Sequence, residues 1–197
     1  MSEACVQEID PDAQRMLAFQ AGDVSAFDEL FERWSAPLLR YLDRIVHDPA
    51  TSEELVQEAF LRVHRARERY VPEAKFSTWL YRIASNLAFN ELRRPRSRHR
   101  HASTDDETSG LHLEARDVDP ERVVHARLLG GDVEREFQRL PERQRMALWL
   151  SAVEGMPYSE IAEALETTQK SVKSLVHRGR ATLAERIPGA RESESKG

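Results

Sequence analysis

The middle of the chain carries a stretch that no packed core can use. Residues 94–110, RPRSRHRHASTDDETSG, contain no aliphatic or aromatic residue except Ala102. Such a segment cannot bury enough apolar surface to offset the conformational entropy lost on ordering. We therefore predict a flexible linker over residues 95–119, which divides the 197-residue chain into two small domains.

Hydrophobic side chains on both sides of this linker recur every three or four residues, which is the period of an amphipathic helix. The alternation typical of strands is not seen. The pattern predicts an all-α fold with one helical domain over residues 25–94 and a second over residues 120–187. A short helical arm is predicted within residues 1–24 and a disordered tail over residues 188–197.

Local signals predict where several helices begin. Asp10 and Pro11 supply an N-cap and a first-turn proline for a short helix. Thr51 and Glu54 have the spacing of a capping box, which predicts a helix start at Thr51. Ser159 is predicted to cap the segment IAEAL.

The net charge of −5 hides two basic blocks. Residues 61–101 hold 11 Arg and Lys against 3 Asp and Glu, giving +8, and residues 167–186 hold 5 against 1, giving +4. Residues 1–60 carry −9 and residues 102–142 carry −6. Because phosphates respond to local charge, two separate contacts with nucleic acid are compatible with this pattern. Solvated helix faces would produce it equally well.

Several classes of function are disfavoured. One cysteine, Cys5, allows no internal disulfide and favours a reducing cytoplasm. No apolar run approaches the roughly 20 residues that span a bilayer, so we expect no membrane insertion. Without a glycine-rich phosphate loop or paired Cys/His spacing, we expect no catalytic residues, metal or cofactor. His99, His101 and His112 lie in segments without helical periodicity.

The C-terminal segment YSEIAEALETTQKSVKSLVHRGRATL predicts a short helix, a tight turn and a longer basic helix. This is the layout of a helix-turn-helix. Apolar positions in both helices allow them to pack together, while polar side chains of the second helix remain outside, in reach of a major groove. These side chains are Lys170, Lys173, Ser174, His177 and Arg178. An ordinary amphipathic hairpin remains the alternative.

A second signal lies in KFSTWLYRIASNLAFNELRRPR, residues 75–96, where aromatic residues interleave with arginines and asparagines. Aromatic rings stack on unpaired bases, amides bind base edges and arginines hold the backbone. The combination suits single-stranded DNA. Aromatic residues at helical spacing are more often part of a core, and for Trp79 this alternative is the stronger one.

Two longer motifs together resemble a known family. SEELVQEAFLRVHRA and FSTWLYRIASNLAFNELRR resemble the second conserved region of extracytoplasmic-function (ECF) sigma factors of bacterial RNA polymerase. LPERQRMALWLSAVEGMPYSEIAEAL and SVKSLVHRGRATL are similar to the fourth region. The resemblance implies a DNA-binding subunit, not an enzyme, that joins core RNA polymerase through its largest and second-largest subunits and directs it to promoter DNA. Control by an anti-sigma factor is common in the family.

The resemblance also implies roles for three groups of residues. The segment that docks on the clamp helices of the largest polymerase subunit contains Leu55, Gln57, Glu58 and Phe60. The positions that capture bases of the melted minus-ten element are matched by Tyr70, Lys75, Trp79, Arg82, Asn86 and Asn90. The recognition face for the minus-thirty-five element is matched by Lys170, Lys173, Ser174, His177 and Arg178.

The chain departs from the family pattern at Glu166, where the turn usually has glycine, and at Lys170, where a small residue is usual. A left-handed backbone at Glu166 would cost on the order of 1 kcal/mol. Two other functions stay open: a conventional regulator that binds duplex DNA without polymerase, and a helical adaptor that never binds DNA. We also expect the linker to leave the two domains unaligned in the free protein, which would then bind promoter duplex weakly.

Overall fold

The computed structural model describes residues 10–94 and 133–186. Helices joined by short turns make up both ranges, which confirms the all-α prediction. The predicted linker over residues 95–119, the predicted tail over residues 188–197 and the first part of the second domain lie outside the described residues.

The N-terminal domain consists of four helices and one turn of 3₁₀-helix between the third and the fourth. They are α1 (Pro11–Gln20), α2 (Val24–Val46), α3 (Pro49–Ala66), the 3₁₀ turn (Arg67–Arg69) and α4 (Phe76–Arg93). Apolar stripes of all four helices meet in one core, which buries side chains such as Met16, Leu42, Val63 and Leu80. The N-terminal helix is therefore an integral part of this domain.

Helix α1 fixes the position of the segment that leads into α4. One carboxylate oxygen of Asp10 accepts from the backbone N–H of Ala13, at 3.1 Å, and from that of Phe76, at 3.0 Å. The side-chain amide of Gln20 donates to the carbonyls of Arg67, at 2.9 Å, and Tyr70, at 3.2 Å. Two side chains of α1 and its cap thus hold both ends of the 67–76 segment.

Two predicted helix caps, Thr51 and Ser159, are wrong by three and two residues. Helix α3 begins at Pro49 with Asp48 as its N-cap residue, and the hydroxyl of Thr51 donates to the Asp48 carboxylate. Proline suits the first helical position because its fixed φ is helical and its missing N–H would have no partner there. Ser159 lies inside a helix whose N-cap residue is Pro157.

The described part of the C-terminal domain, residues 133–186, also contains four helices. They are α5 (133–138), α6 (Glu142–Ala152), α7 (Tyr158–Ala164) and α8 (Gln169–Arg186). Its buried side chains include Phe137, Met146, Leu150, Ile161 and Val176. Helices α7 and α8 pack against each other and against α6, which confirms the predicted helix-turn-helix.

Local hydrogen bonds define the turn between α7 and α8. The hydroxyl of Thr168 accepts from the N–H of Ser171 at 3.2 Å and caps α8. Glu166 has φ of 48°, in the left-handed region that favours glycine. The substitution of glycine by Glu166 therefore places a side chain in strained backbone, at a cost of about 1 kcal/mol.

The two domains are in contact, and the expectation that they would be unaligned is wrong for this structure. Helix α7 packs against α4, and α6 packs against α2. The expectation considered only the polar linker, whereas the helices of the two domains contact each other directly. Within the described residues, no helix combines the length and the apolar character needed to cross a membrane.

Candidate nucleic-acid interface

A cavity of about 1050 Å³ opens between the end of α3, the following loop and the start of α4. Aromatic rings form part of its wall: Trp79 lies between Tyr70 and Phe76, with ring centroids 5.0 and 5.9 Å away. Tyr70 is buried, and burial raises its pKa to about 12. Trp79 is only half-buried, so it packs on the core and also faces the cavity.

The cavity is lined by four arginines, Arg62, Arg65, Arg69 and Arg82, and by three glutamates, Glu68, Glu73 and Glu163. The arginines exceed the glutamates by one, so the lining has a small positive charge. All four arginines are exposed, and Arg62 forms an ion pair with Glu58 at 2.8 Å. The hydroxyl of Tyr70 is buried without a hydrogen-bond partner among the described residues. A pocket with rings, guanidinium groups and one unsatisfied hydroxyl has the chemistry to hold a nucleotide.

The polar residues predicted on α4 share one face of that helix. Arg82, Asn86 and Asn90 follow each other at intervals of four residues, which places them one above the other. Arg82 and Asn90 are exposed, and Asn86 is half-buried. Because Arg82 also lines the cavity, the face and the cavity form one surface. The structure thus brings together five of the six residues predicted for minus-ten recognition. The sixth, Lys75, forms an ion pair with the other domain.

The recognition-helix residues lie on the outer side of α8. Lys170, Lys173, His177 and Arg178 are exposed, and Ser174 is half-buried. Arg178 donates to the hydroxyl of Ser174 at 2.9 Å and to its carbonyl at 3.3 Å. These contacts hold the guanidinium group against α8.

The residues predicted for polymerase docking divide into two groups. Leu55 and Phe60 are buried, so they support the helix from the core and present almost no surface. Gln57 is exposed, and Glu58 forms an ion pair with Arg62 at 2.8 Å that lowers the Glu58 pKa.

Two exposed apolar side chains near this segment were missed from the sequence. Phe31 of α2 is 43% exposed and contacts the ring of Phe60, with centroids 4.8 Å apart. Leu61 is 49% exposed and follows Gln57 by one helical turn. Helical periodicity cannot distinguish the edge of an apolar stripe from its centre, so it does not indicate that Phe31 is exposed.

The first contact between the domains lies at the start of α4. The Glu160 carboxylate of α7 accepts from Lys75 Nζ at 2.7 Å and from Thr78 Oγ1 at 3.3 Å. The ion pair with Glu160 raises the Lys75 pKa. Glu163, less than one turn further along α7, lines the basic cavity. Two carboxylates of the C-terminal domain therefore face the basic surface of the N-terminal domain.

The second contact is made by Arg145 of α6, which is buried. Its guanidinium group donates to the carbonyl of Ile45 at 3.1 Å and to that of Gln138 at 2.6 Å. The same group lies 3.0 Å from Nε2 of His47. The Ile45 carbonyl belongs to the last turn of α2, where carbonyls have no partner within the helix. Arg145 thus caps α2 from the other domain.

His47 lies at the centre of this second contact. Burial, followed by the charge of Arg145, lowers the His47 pKa, while Glu134 and Asp43 act in the opposite direction. Arg44, another nearby cation, forms an ion pair with Glu134 of α5. Neutral imidazole is therefore the form that suits the contact between the domains.

In the parts of the chain that the structure describes, no group of three His, Cys, Asp or Glu residues is arranged to hold a metal ion. His99, His101, His112 and Cys5 lie outside these parts.

Comparisons with known proteins give the same division of the chain. Residues 30–98 match the model of Sigma-70 region 2, and residues 131–183 match that of Sigma-70, region 4. The RNA polymerase sigma-H factor of Pseudomonas aeruginosa is 34% identical over 87% of this chain and 91% of its own length. The ECF RNA polymerase sigma-E factor of Escherichia coli is 33% identical over 85% of this chain and 90% of its own.

Solved structures share this fold. The structure of CnrH in complex with the cytosolic domain of CnrY has a TM-score of 0.62 and 23% identity, and covers 88% of this chain and 96% of CnrH. The sigma factor RpoE of Bartonella quintana, solved with the anti-sigma factor NepR, has a TM-score of 0.64 and 20% identity, and covers 84% and 99%. The chain belongs to the ECF sigma factors of bacterial RNA polymerase, with regions 2 and 4 as its two domains.

Proposed function

We propose that the chain docks on core RNA polymerase in the cytoplasm and directs it to promoters, with each domain binding one promoter element. The N-terminal domain binds the melted minus-ten element through α4 and the adjoining cavity. The C-terminal domain binds the minus-thirty-five element through α8. The observation that carries this proposal is the single surface on which a basic, ring-lined cavity adjoins Arg82, Asn86 and Asn90.

The chemistry of that surface favours unpaired bases over a closed duplex. A base extruded from the stack finds the half-buried ring of Trp79 for stacking, which contributes about 1–3 kcal/mol per base. The amides of Asn86 and Asn90 offer both donors and acceptors to base edges. The surrounding arginines bind the backbone, which adds affinity without sequence preference.

The surface of α8 favours duplex DNA. Lys173 and Arg178 are exposed and lie on the outer side of the second helix of a helix-turn-helix. Lys and Arg in this position bind guanine edges or phosphates of the major groove. Lys170 at the start of α8 adds a further cation, so its departure from the family pattern supports a different preferred sequence.

Docking on polymerase involves the exposed part of the α2–α3 surface. Phe31 and Leu61 supply apolar area, and Gln57 and Glu58 supply polar contacts beside it. An apolar centre with a polar rim is the usual composition of a protein–protein interface. CnrH and RpoE were solved with a partner protein bound, so an anti-sigma factor is a further proposed partner of this chain.

The test of this proposal is promoter binding by the reconstituted holoenzyme. Core polymerase with the Asn86→Ala variant is titrated with a forked DNA whose minus-ten strand is unpaired, taken from the promoter of the protein's own operon. Loss of a base contact should weaken binding about 5- to 150-fold, which corresponds to about 1–3 kcal/mol. Gln138→Ala, which removes an exposed amide from α5, is the control and should bind like the parent. Equal binding by both variants would refute the role of α4.

A conventional duplex-binding regulator predicts a different result. Such a protein would bind promoter duplex tightly and specifically without polymerase. A gel-shift series at fixed salt, with and without core enzyme, separates the two functions, because salt sets the electrostatic part of the affinity. Weak binding by the free chain and tight binding by the holoenzyme support the sigma mechanism. An adaptor that binds polymerase but not DNA would leave the promoter unbound in both series.

A further inference from the structure

The segment from Arg67 to Lys75, called the cavity loop below, forms one wall of the cavity. Those of its residues that line the space are Glu68, Arg69, Tyr70, Val71, Glu73 and Ala74. Residues 70–75 belong to no helix or strand, and the bond from the N–H of Glu73 to the carbonyl of Val71, at 2.9 Å, joins near neighbours. A segment without a hydrogen-bonded ladder opens easily, so its shape depends on what it packs against.

Gln20, the last residue of α1, binds the backbone of the cavity loop at several points. Its side-chain Nε2 lies 2.9 Å from the carbonyl of Arg67, 3.2 Å from that of Tyr70 and 3.3 Å from that of Glu68. An amide has two N–H groups, so it donates to two of these carbonyls while the third stays within reach. Gln20 is half-buried and does not line the cavity. The contact therefore fixes the loop without occupying the space that a base would enter.

Helix α1 is a firm support for this amide, because Met16 and Phe19 are fully buried in the core of the domain. The Phe19 ring also lies beneath the guanidinium group of Arg67, 5.2 Å from its centroid. The Asp10 carboxylate accepts from the N–H of Phe76 at 3.0 Å. These two contacts act at the ends of the cavity loop, whereas the bond from Gln20 to the Tyr70 carbonyl acts within it.

Tyr70 connects this backbone contact to the surface that a base would touch. Its buried ring packs on Trp79, with centroids 5.0 Å apart, and Trp79 is half-buried and lines the cavity. Arg69, the preceding residue, is exposed and lines the cavity as well. A shift of the Tyr70 backbone would displace the ring that supports Trp79, because close packing leaves little free volume to absorb it.

We propose that Gln20 is a positioning residue for minus-ten recognition, which holds the cavity loop in one conformation and so sets which base the cavity accepts. It acts through the backbone of Tyr70 and not by contact with DNA. This inference rests on the proposed function, because it takes the cavity as the site of an extruded base. It adds a determinant of selectivity that lies outside residues 30–98, the range that matches Sigma-70 region 2.

The test replaces Gln20 by methionine in the full-length chain. Gln20→Met keeps the charge and an unbranched side chain that favours helix, but it removes both N–H donors. The reconstituted holoenzyme is titrated with forked DNAs from the promoter of the protein's own operon, which differ in one base at one unpaired position of the minus-ten strand. The ratio of affinities for the best and the worst base is the base preference at that position. Gln138→Met, the same replacement at an exposed position of α5, is the matched control.

We expect Gln20→Met to reduce the base preference about threefold to tenfold at one unpaired position, as the loss of hydrogen bonds from the loop predicts, and to leave the other positions unchanged. A loop with several conformations presents a well-formed cavity for only part of the time, which lowers the affinity for the preferred base most. Gln138→Met should keep the preference of the parent at every position.

Hydrogen exchange in the free, full-length protein checks the physical cause separately. Peptides that cover residues 67–75 should exchange faster in Gln20→Met, while peptides from α2 and α3 should exchange as in the parent, because the domain stays folded. Unchanged exchange in the loop would show that Gln20 does not hold it. Faster exchange throughout the domain would assign Gln20 a general structural role, and either result overturns the proposal.

The DNA titration distinguishes this inference from the proposed function. A parent holoenzyme without base preference at any unpaired position would overturn the proposed function itself. A parent preference that survives in Gln20→Met would overturn only the role of Gln20. Equal weakening for all bases at every position would also refute the role in selectivity, since a merely structural contact predicts that result.

Discussion

Replacement of Asp10 by alanine should destabilise the N-terminal domain by more than the loss of an ordinary helix cap. The carboxylate accepts from the N–H of Ala13, which caps α1, and from the N–H of Phe76, which begins α4. These two bonds join segments 66 residues apart in the chain. Alanine removes both acceptors at once and leaves two helix N-termini without partners.

The expected magnitude follows from the two bonds. Loss of an N-cap costs about 1 kcal/mol. Loss of a hydrogen bond to a charged acceptor costs about 1.5–3 kcal/mol. Because both bonds share one oxygen, we expect a total of about 2–4 kcal/mol. Asp23→Ala is the matched control, since Asp23 caps α2 through Ser25 N–H at 3.0 Å and the structure gives its side chain no contact outside that first turn. It should cost only about 1 kcal/mol.

The assay is urea unfolding monitored by tryptophan fluorescence. Trp149 belongs to the C-terminal domain, so a Trp149→Phe background leaves Trp34 and Trp79 as reporters of the N-terminal domain. Asp10→Asn keeps an acceptor and should recover most of the free energy of unfolding. If Asp10→Ala costs no more than Asp23→Ala, the bond to Phe76 contributes nothing, and the idea that α1 positions the start of α4 is refuted.

Three further predictions concern the turn, the interface and the recognition helix. Glu166→Gly should raise the free energy of unfolding of the C-terminal domain by about 0.5–1 kcal/mol, measured by thermal or urea unfolding, because φ of 48° suits glycine. The domain contact should be fully stable above about pH 6.5 and weaken as the pH falls below that value, because His47 has a lowered pKa in the closed protein and must bind a proton there against Arg145. The distance between spin labels attached to the two domains should increase as the contact weakens. His47→Asn keeps an acceptor and tolerates the left-handed backbone, so it should abolish this dependence on pH. If Lys173 or Arg178 binds a base, its replacement by alanine should weaken promoter binding by about 1–3 kcal/mol and reduce run-off transcription accordingly. The reduction should disappear on a promoter mutated at the minus-thirty-five element.

Much of the local structure could be predicted from the sequence because helices depend on neighbours three and four residues away. The spacing of Ile161, Leu165, Val172 and Val176 predicted the helix-turn-helix, and α7 and α8 confirm it. The intervals between Arg82, Asn86 and Asn90 placed them on one face of α4 in the same way. Boundaries were less certain where two signals competed, as at Thr51, where the Asp48–Pro49 pair determines the helix start.

Burial at the edge of a helix depends on partners that the sequence does not identify. Leu55 and Phe60 looked suitable for a docking surface, but they are in the core, whereas Phe31 and Leu61 remain exposed. The same apolar periodicity fits both outcomes. Only the arrangement of α2 against α3 determines which residues of each stripe lose their contact with water.

The sequence by itself determined the helical class, the two domains and the basic character of the surfaces that suit DNA. The tertiary structure alone decided that the surface at the start of α4 faces acidic residues of the same chain. Glu160 and Thr78 are 82 residues apart, and neither has a local pattern that indicates the other. Helices form from contacts within one or two turns, so their sequence signals are local. Docking of one domain on another depends on the shape and charge of two surfaces whose residues are far apart in the sequence. It can be seen only in the folded structure.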